Sequence, residues 1–285
     1  MKSNQPEQGP KHLFVLSPHS SGSTAMTKLL ATSPNVTALP FEGQFMPDAQ
    51  PLMRTDPWNP KVKLDWPKIK TVWEASWDLT KPIRLEKSPP NILRAAEMVK
   101  YFENPFFIIM VRNPYAYCEG TRRRNHFGMG YGKNASYTEI AEGWVRECRQ
   151  QIKNIRQLPR TLAVTYEEFT EDTEGVVQKL LAFMPELVSL DMDASFWIHS
   201  LQGALKRPVV NLNDSQIARL SHEDIVEITA VLRKHSDVMK YFGYELLTGS
   251  YHPLEKIRMR AQDWYKKHIL RRIQRYTHHV KHWLG

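Results

Sequence analysis

The stretch Leu13-Phe14-Val15-Leu16-Ser17-Pro18-His19-Ser20-Ser21-Gly22-Ser23-Thr24 runs on into Ala25–Leu30 and stops at Ser33-Pro34. An apolar run, then small hydroxylated residues around one glycine, then helix formers, reads as strand, tight loop, helix. Such a loop is an anion cradle. Its backbone N–H groups, and the unpaired N–H groups of the helix behind it, point at one spot and favour a phosphate or sulfate there. The nucleoside-triphosphate version, G-x-x-x-x-G-K-[ST], requires a lysine next to last. Ser23 stands there, which argues against ATP or GTP hydrolysis.

Working outward, Phe106–Val111 is a continuous apolar run of strand length, as expected where helices cover both faces of a parallel sheet, and Arg112-Asn113-Pro114 follows it. Leu162–Thr165 repeats the pattern. Ile83–Glu86 is a third short strand, cut off by Lys87-Ser88-Pro89-Pro90 because proline cannot continue a ladder. Helices are expected at about 22–32, over Leu64–Leu79 from the spacing of Ile69, Val72, Trp73 and Trp77, from a cap at Asn91 to about Phe102, and over Tyr137–Ile155. Trp73, Trp77 and Trp144 read as core. Asn35–Phe45 reads as irregular, Pro47–Lys63 as a surface excursion, and the basic, glycine-punctuated Arg122–Lys133 as a mobile loop. Asp214–Tyr241 reads as two helical stretches with Ser221 as a cap, and Phe242-Gly243-Tyr244 closes the globular part.

This alternation predicts a three-layer α/β fold with a mostly parallel central sheet. Ligands of such sheets bind outside the carboxyl ends of the strands. His19–Thr24, Lys87 and Arg112 all follow strands directly and are expected on one rim. Glu42 is the only carboxylate between the loop and Asp48, which makes it the natural candidate for a general base.

Length and charge set the frame. The chain has 285 residues and a net charge of +9. Nine Lys or Arg against Glu255 and Asp263 place +7 of that charge in residues 254–285. The division expected is a polar N-terminus at 1–11, one domain over 12–250 and a basic tail at 251–285. In that tail Leu254, Ile257, Ala261, Trp264, Ile269, Ile273, Tyr276, Val280 and Trp283 recur at mostly three- and four-residue spacing, an amphipathic helix with a basic face. Its composition suits an anionic membrane surface. The same face would equally pack on its own domain or on a second subunit, and no motif for nucleic acid accompanies it. Cys118 and Cys148 are too few for a disulfide framework, so a reducing compartment is the default and both read as buried apolar residues. Met1–Lys11 has no apolar core of a signal peptide, and the longest apolar run, six residues, falls far short of the ~20 that span a bilayer. The expectation is a cytoplasmic protein, with any membrane contact peripheral and on the inner face.

Five motifs in chain order then resemble those of sulfotransferases that use 3′-phosphoadenylyl sulfate (PAPS). Ser20-Ser21-Gly22-Ser23-Thr24 is similar to the family's 5′-phosphosulfate loop, and Phe107-Ile108-Ile109-Met110-Val111-Arg112-Asn113-Pro114 to its 3′-phosphate motif. Glu42-Gly43, Glu86-Lys87-Ser88-Pro89 and Thr165-Tyr166-Glu167-Glu168-Phe169 supply the other three. The similarity covers roughly residues 12–246 and is nearest in style to tyrosylprotein and bacterial carbohydrate or lipid sulfotransferases. It implies a nucleotide-kinase-like fold and, without a metal, transfer of a sulfuryl group from PAPS to a hydroxyl of a carbohydrate, lipid or small metabolite, releasing 3′-phosphoadenosine 5′-phosphate.

By that resemblance His19, Ser20, Ser21, Gly22, Ser23 and Thr24 form the 5′-phosphosulfate loop and Arg112 grips the 3′-phosphate. Arg124, twelve residues on, is a second arginine at that phosphate, and Tyr166 lies near the nucleotide. Glu42 is implied as the base and Lys87 as the cation at the transferring group. The chain departs from the pattern at Ser20, where the family usually has Arg or Lys, and at Gly120, where it usually has serine. Glu42 also lies one residue farther from the loop than its tyrosylprotein counterpart. His19 or Lys87 is left to supply the charge missing at Ser20. Two other readings stay open: a different P-loop-like transferase such as a kinase, and a nucleotide-binding scaffold of the same fold with little or no turnover.

Overall fold

Successive residues of β1 (Lys11–Leu16) alternate between two cores, as strand geometry requires. Leu13 and Val15 enter one with Met26 and Leu29, while Phe14 and Leu16 enter another with Trp66, Trp73 and Phe102. β4 (Pro105–Val111) is buried along its whole length and divides in the same way, Ile108 and Met110 against Phe107 and Ile109. Apolar side chains on both faces of one strand need a layer of helices on each side. The computed structural model supplies it, and describes residues 9–124, 131, 132, 134–200 and 203–247.

With β2 (Val36–Ala38), β3 (Ile83–Glu86) and β5 (Thr161–Thr165), the sheet has the order β2-β3-β1-β4-β5, and every neighbouring pair is parallel. Leu13 of the central strand registers with Leu85 on one side and Phe106 on the other. The chain fills the β3 side of β1 first and then crosses to β4 and β5. The boundary between β1 and β4 is therefore the switch point where a crevice opens at the carboxyl ends.

The helices in chain order are α1 (Ser23–Leu30), α2 (Gln50–Met53), α3 (Trp66–Glu74), α4 (Ala95–Tyr101), α5 (Pro114–Arg124), α6 (Tyr137–Gln157), α7 (Tyr166–Glu171), α8 (Thr173–Phe183), α9 (Asn213–Ile217), α10 (His222–Lys234) and α11 (Ser236–Tyr241). α1 and α8 cover one face of the sheet, α3 and α4 the other. α5, α6, α10 and α11 close a third core around Trp144, which also takes up Cys118 and Cys148 as fully buried free thiols. A separate antiparallel hairpin, β6 (Phe196–Ser200) with β7 (Gly203–Arg207), lies against α1, where Lys28 Nζ donates to the Trp197 carbonyl at 2.6 Å.

The fold class is the one expected, and several local readings need correction. Asn35–Phe45 holds a strand, β2, and a 3₁₀ turn at Gly43–Phe45. Pro47–Lys63 is anchored by the short α2 and buries Ala49 and Met53. Asn91 caps no helix. Pro89 and Pro90 start a 3₁₀ turn that runs to Leu93, α4 begins only at Ala95, and the Asn91 amide turns inward to Glu86. The Leu64–Leu79 helix is shorter, α3, and Asp214–Tyr241 forms three helices. Ser221 does cap α10: its Oγ accepts from the Asp224 N–H at 3.1 Å, and Asp224 Oδ2 accepts from the Ser221 N–H at 2.9 Å. Of the loop expected over Arg122–Lys133, Arg122–Arg124 form the last turn of α5 and Tyr131 packs on the third core, while 125–130 and 133, with the tail at 248–285, lie outside the described residues. No helix among the described residues is long and apolar enough to cross a membrane.

Candidate active site

Each of the five parallel strands delivers one expected site element at its carboxyl end. The loop through His19–Gly22 follows β1, Glu42 follows β2, Lys87 follows β3, Arg112 follows β4 and Tyr166 follows β5. The loop is built by left-handed backbone at Ser20 (φ 60°) and Gly22 (φ 85°). Left-handed turns in close succession rotate backbone N–H groups to one side. α1 starts behind it with Gly22 as N-cap, no side-chain cap and no acidic residue in its first turn, so its positive end stays open. Ser21 is buried with its hydroxyl donating to the His19 carbonyl at 3.2 Å, Ser23 is buried, and Thr24 is exposed.

Tyr166 packs its ring on this loop. A Cβ at residue 22 would fall 2.5 Å from Tyr166 Cδ2, so only glycine admits the ring. The hydroxyl donates to the Val210 carbonyl at 3.0 Å and accepts from the Leu212 N–H at 3.1 Å. The guanidinium carbon of Arg112 lies 3.9 Å from the ring centroid.

Arg112 is 4% exposed. Its Nε donates to Asn213 Oδ1 at 2.7 Å, one terminal nitrogen to the Ser20 carbonyl at 2.7 Å, and the other to Gln216 Oε1. All three acceptors are neutral, and among the described residues Arg112 enters no ion pair. A buried guanidinium without a carboxylate leaves a net positive charge facing the crevice, the condition for holding an anion bidentately. Arg124, the last residue of α5, donates Nε to the Gly120 carbonyl at 3.3 Å. Burial, together with Arg123 and Arg112, lowers it to about 10, so it stays charged at neutral pH.

On the β3 side, Lys87 Nζ donates to Glu42 Oε1 and Gln44 Nε2 to Glu42 Oε2. Burial pushes the Glu42 carboxyl up, but the Lys87 charge and these two bonds outweigh it and hold it below the ordinary range. Behind the pair lies Glu86, whose Oε1 accepts from the Gly43 N–H at 3.1 Å and from the Ser88 hydroxyl, while Oε2 accepts from Asn91 at 2.8 Å. Ser88 Oγ in turn accepts the Gln44 N–H at 3.0 Å. Glu86 and Ser88 thereby pin the two backbone amides that follow Glu42. His19 tilts against Trp58 at 5.2 Å between ring centroids. Burial lowers it to about 4, further depressed by Lys87, Arg124 and Arg54 against the opposing pull of Glu42. Its charged form is thereby disfavoured, and the Ser20 side chain beside it sits against Gly120 and Thr121.

The structure thus sets His19–Ser23, Arg112, Arg124 and Tyr166, and the Glu42–Lys87 pair, along one rim of the sheet, with His19 within electrostatic reach of Glu42, Lys87 and Arg124. Sequence reasoning gave no role to Glu86, Glu167, Asn213 or Gln216. Glu167 accepts from the Asn113 N–H at 3.0 Å, from Asn213 Nδ2 and from the Tyr244 hydroxyl at 2.8 Å, bracing the Asn213 that holds Arg112. Its place directly after Tyr166 was the available signal. Asn213 and Gln216 lie about a hundred residues from Arg112, and no local pattern marks them.

The chain matches the sulfotransferase family over residues 10–187. No match was found among curated proteins. Among solved structures it is similar to the sulfotransferase domain from the curacin biosynthetic pathway, at a TM-score of 0.53 and 18% identity over 84% of this chain and 99% of that one. The sulfotransferase domain of the Synechococcus PCC 7002 olefin synthase gives 0.52 and 17% over 86% and 99%. A sulfotransferase from Alicyclobacillus acidocaldarius gives 0.52 and 14% over 82% and 96%. The family match takes in β1 through α8, including every strand end that carries the site, and on it the chain belongs to the sulfotransferase family.

Proposed function

We propose that this chain transfers the sulfuryl group of PAPS to a hydroxyl of a carbohydrate, lipid or small metabolite, with its basic tail at an anionic membrane surface. The observation that carries the donor is Arg112: a buried cation, matched only by neutral oxygens, beside an uncapped helix start on the same rim. Two anion sites side by side fit a nucleotide phosphorylated at both ends. The 5′-phosphosulfate lies on the Ser20–Thr24 loop and the 3′-phosphate against Arg112 and Arg124, with Tyr166 between them.

In-line transfer needs an acceptor oxygen losing its proton while charge builds on the leaving phosphate. Glu42 and Lys87 neutralise each other across one short contact. An anionic donor draws Lys87 toward the transferring group, and Glu42, released from that cation, regains basicity where the acceptor hydroxyl arrives. Ground-state pairing of base and cation holds both in place until donor is bound.

Titration with 3′-phosphoadenosine 5′-phosphate beside adenosine 5′-diphosphate tests the donor. The 3′-phosphorylated nucleotide is expected to bind more tightly, and Arg112→Ala to lose roughly tenfold to a hundredfold of that preference. Equal affinity for the two nucleotides in the native chain sinks the reading. Sulfate transfer from labelled PAPS into an extract tests the chemistry: Glu42→Gln is expected to lower kcat by about 10²–10⁴-fold. Lys87→Ala is expected to lower it by about 10²–10³-fold. Full activity in both removes the two assignments.

A further inference from the structure

Gln216 lies on α9 and is 3% exposed. Arginine nitrogens only donate, so the Gln216 atom facing Arg112 is Oε1, and the orientation of the amide is fixed by chemistry. Nε2 then points the other way. It reaches the space beside Gly120, where a Cβ would stand 2.8 Å from it and 3.2 Å from the Ser20 Cβ. Among the described residues no acceptor meets Nε2.

Nε2 is not an enclosed atom, so it opens toward solvent as a donor that no protein acceptor claims and that an arriving acceptor can reach. The groups around it fit an anion. Arg112 holds the other end of the same amide, and Arg124 lies close enough to Arg112 to depress its own proton affinity. The Ser20 and Thr121 hydroxyls bond to each other at 3.4 Å on the same side. Glu119, the residue before Gly120, is already bound by Arg123 at 2.8 Å and Arg219 at 3.0 Å.

We infer that Gln216 is a further nucleotide-binding residue, its Nε2 donating to the 3′-phosphate gripped by Arg112, so that α9 forms the third wall of that subsite. The inference rests on the PAPS reading above. Arg112 locks Oε1 inward and so presents the N–H outward before any ligand arrives, which lowers the ordering cost of binding. Glycine at 120 is the condition for this placement, because any side chain there would push the amide away.

The test measures affinities of the native chain, Gln216→Met and Gln216→Glu for 3′-phosphoadenosine 5′-phosphate and adenosine 5′-diphosphate, with thermal melts alongside. Gln216→Met keeps the volume and removes the Nε2 donor together with the Oε1 that holds Arg112, so Gly120→Ala, which crowds Nε2, separates loss of the donor from loss of Arg112 positioning. It is expected to lose about tenfold to a hundredfold in affinity for the 3′-phosphorylated nucleotide and less than about threefold for the diphosphate. Gln216→Glu is expected to lose more, because its carboxylate would occupy Arg112. Gly120→Ala displaces the amide without removing it and is expected to act in the same direction, which keeps the test decisive should Gln216→Met fail to fold. Equal losses for both nucleotides, or retained preference in Gln216→Met and Gly120→Ala, overturn the inference. Absence of preference in the native chain overturns the PAPS reading instead.

Discussion

Glu86 takes no part in the proton transfer as proposed, yet it is the carboxyl on which Glu42 depends for its position. Full burial, only partly offset by the Ser88 and Gly43 bonds, pushes it up to about 7 from the ordinary 4.5. A raised value means that the folded protein binds this proton more tightly than the unfolded chain. The associated stability is fully present below pH 4.5 and is lost as pH rises through 7. Glu86→Gln removes the titration. Measured by denaturant melts, its stability relative to the native chain is expected to rise by about 2–3 kcal/mol between pH 4.5 and 7.5 and to stay level above that. Other buried acids titrate in both proteins and cancel in the difference. Curves that stay parallel across this window would show that Glu86 takes up no proton.

At the scale of elements, two helix starts with the same chemistry have different consequences. α7 and α10 each begin with a capping box, Thr165 with Glu168 and Ser221 with Asp224. Replacing either cap by alanine is expected to cost about 1 kcal/mol of stability. Only α7 carries site residues in its first turn, Tyr166 on the loop and Glu167 behind Asn213. Thr165→Ala is therefore expected to weaken binding of 3′-phosphoadenosine 5′-phosphate several-fold, and Ser221→Ala to leave it unchanged, in paired melts and titrations. Equal affinities in the two variants would detach the start of α7 from nucleotide binding.

Which elements were legible follows from how much pattern each carries. β1, β3, β4 and β5 announce themselves by apolar runs that stop at Pro or a polar cluster, and α6 by a long period with a cap. β2 is only Val-Thr-Ala, too short for any periodicity, so Glu42 could not be recognised as another residue at a strand end. Asn91 looks like a cap in sequence, but the prolines before it fix a 3₁₀ turn and the buried Glu86 carboxyl claims its amide. The loop, Arg112 and Lys87 were legible because strand ends and motifs coincide there. Asn213 and Gln216 were not, because their roles arise only when α9 folds back across the end of β4, and Gly120 stood out only as a departure from the family's serine.

At the scale of the whole molecule, charge is distributed by segment. The site gathers Arg112, Arg124 and Lys87 around Glu42, whereas most of the net +9 lies in residues 254–285. The two cationic regions have different expected partners. The crevice sets a few buried, oriented donors for one small anion. The tail interleaves Arg and Lys with Trp264, Tyr276 and Trp283, a composition that gains roughly 1 kcal/mol per basic residue at an anionic lipid surface and places aromatic rings at the interface. Flotation with phosphatidylglycerol vesicles is expected to carry the full chain and to leave behind a chain ending at 253, with nucleotide binding retained in both. Salt at about 0.5 M is expected to release the full chain, since the Debye length then falls below about 5 Å. Unchanged flotation after truncation would move the membrane contact elsewhere, and flotation that survives high salt would assign it to apolar insertion in place of charge.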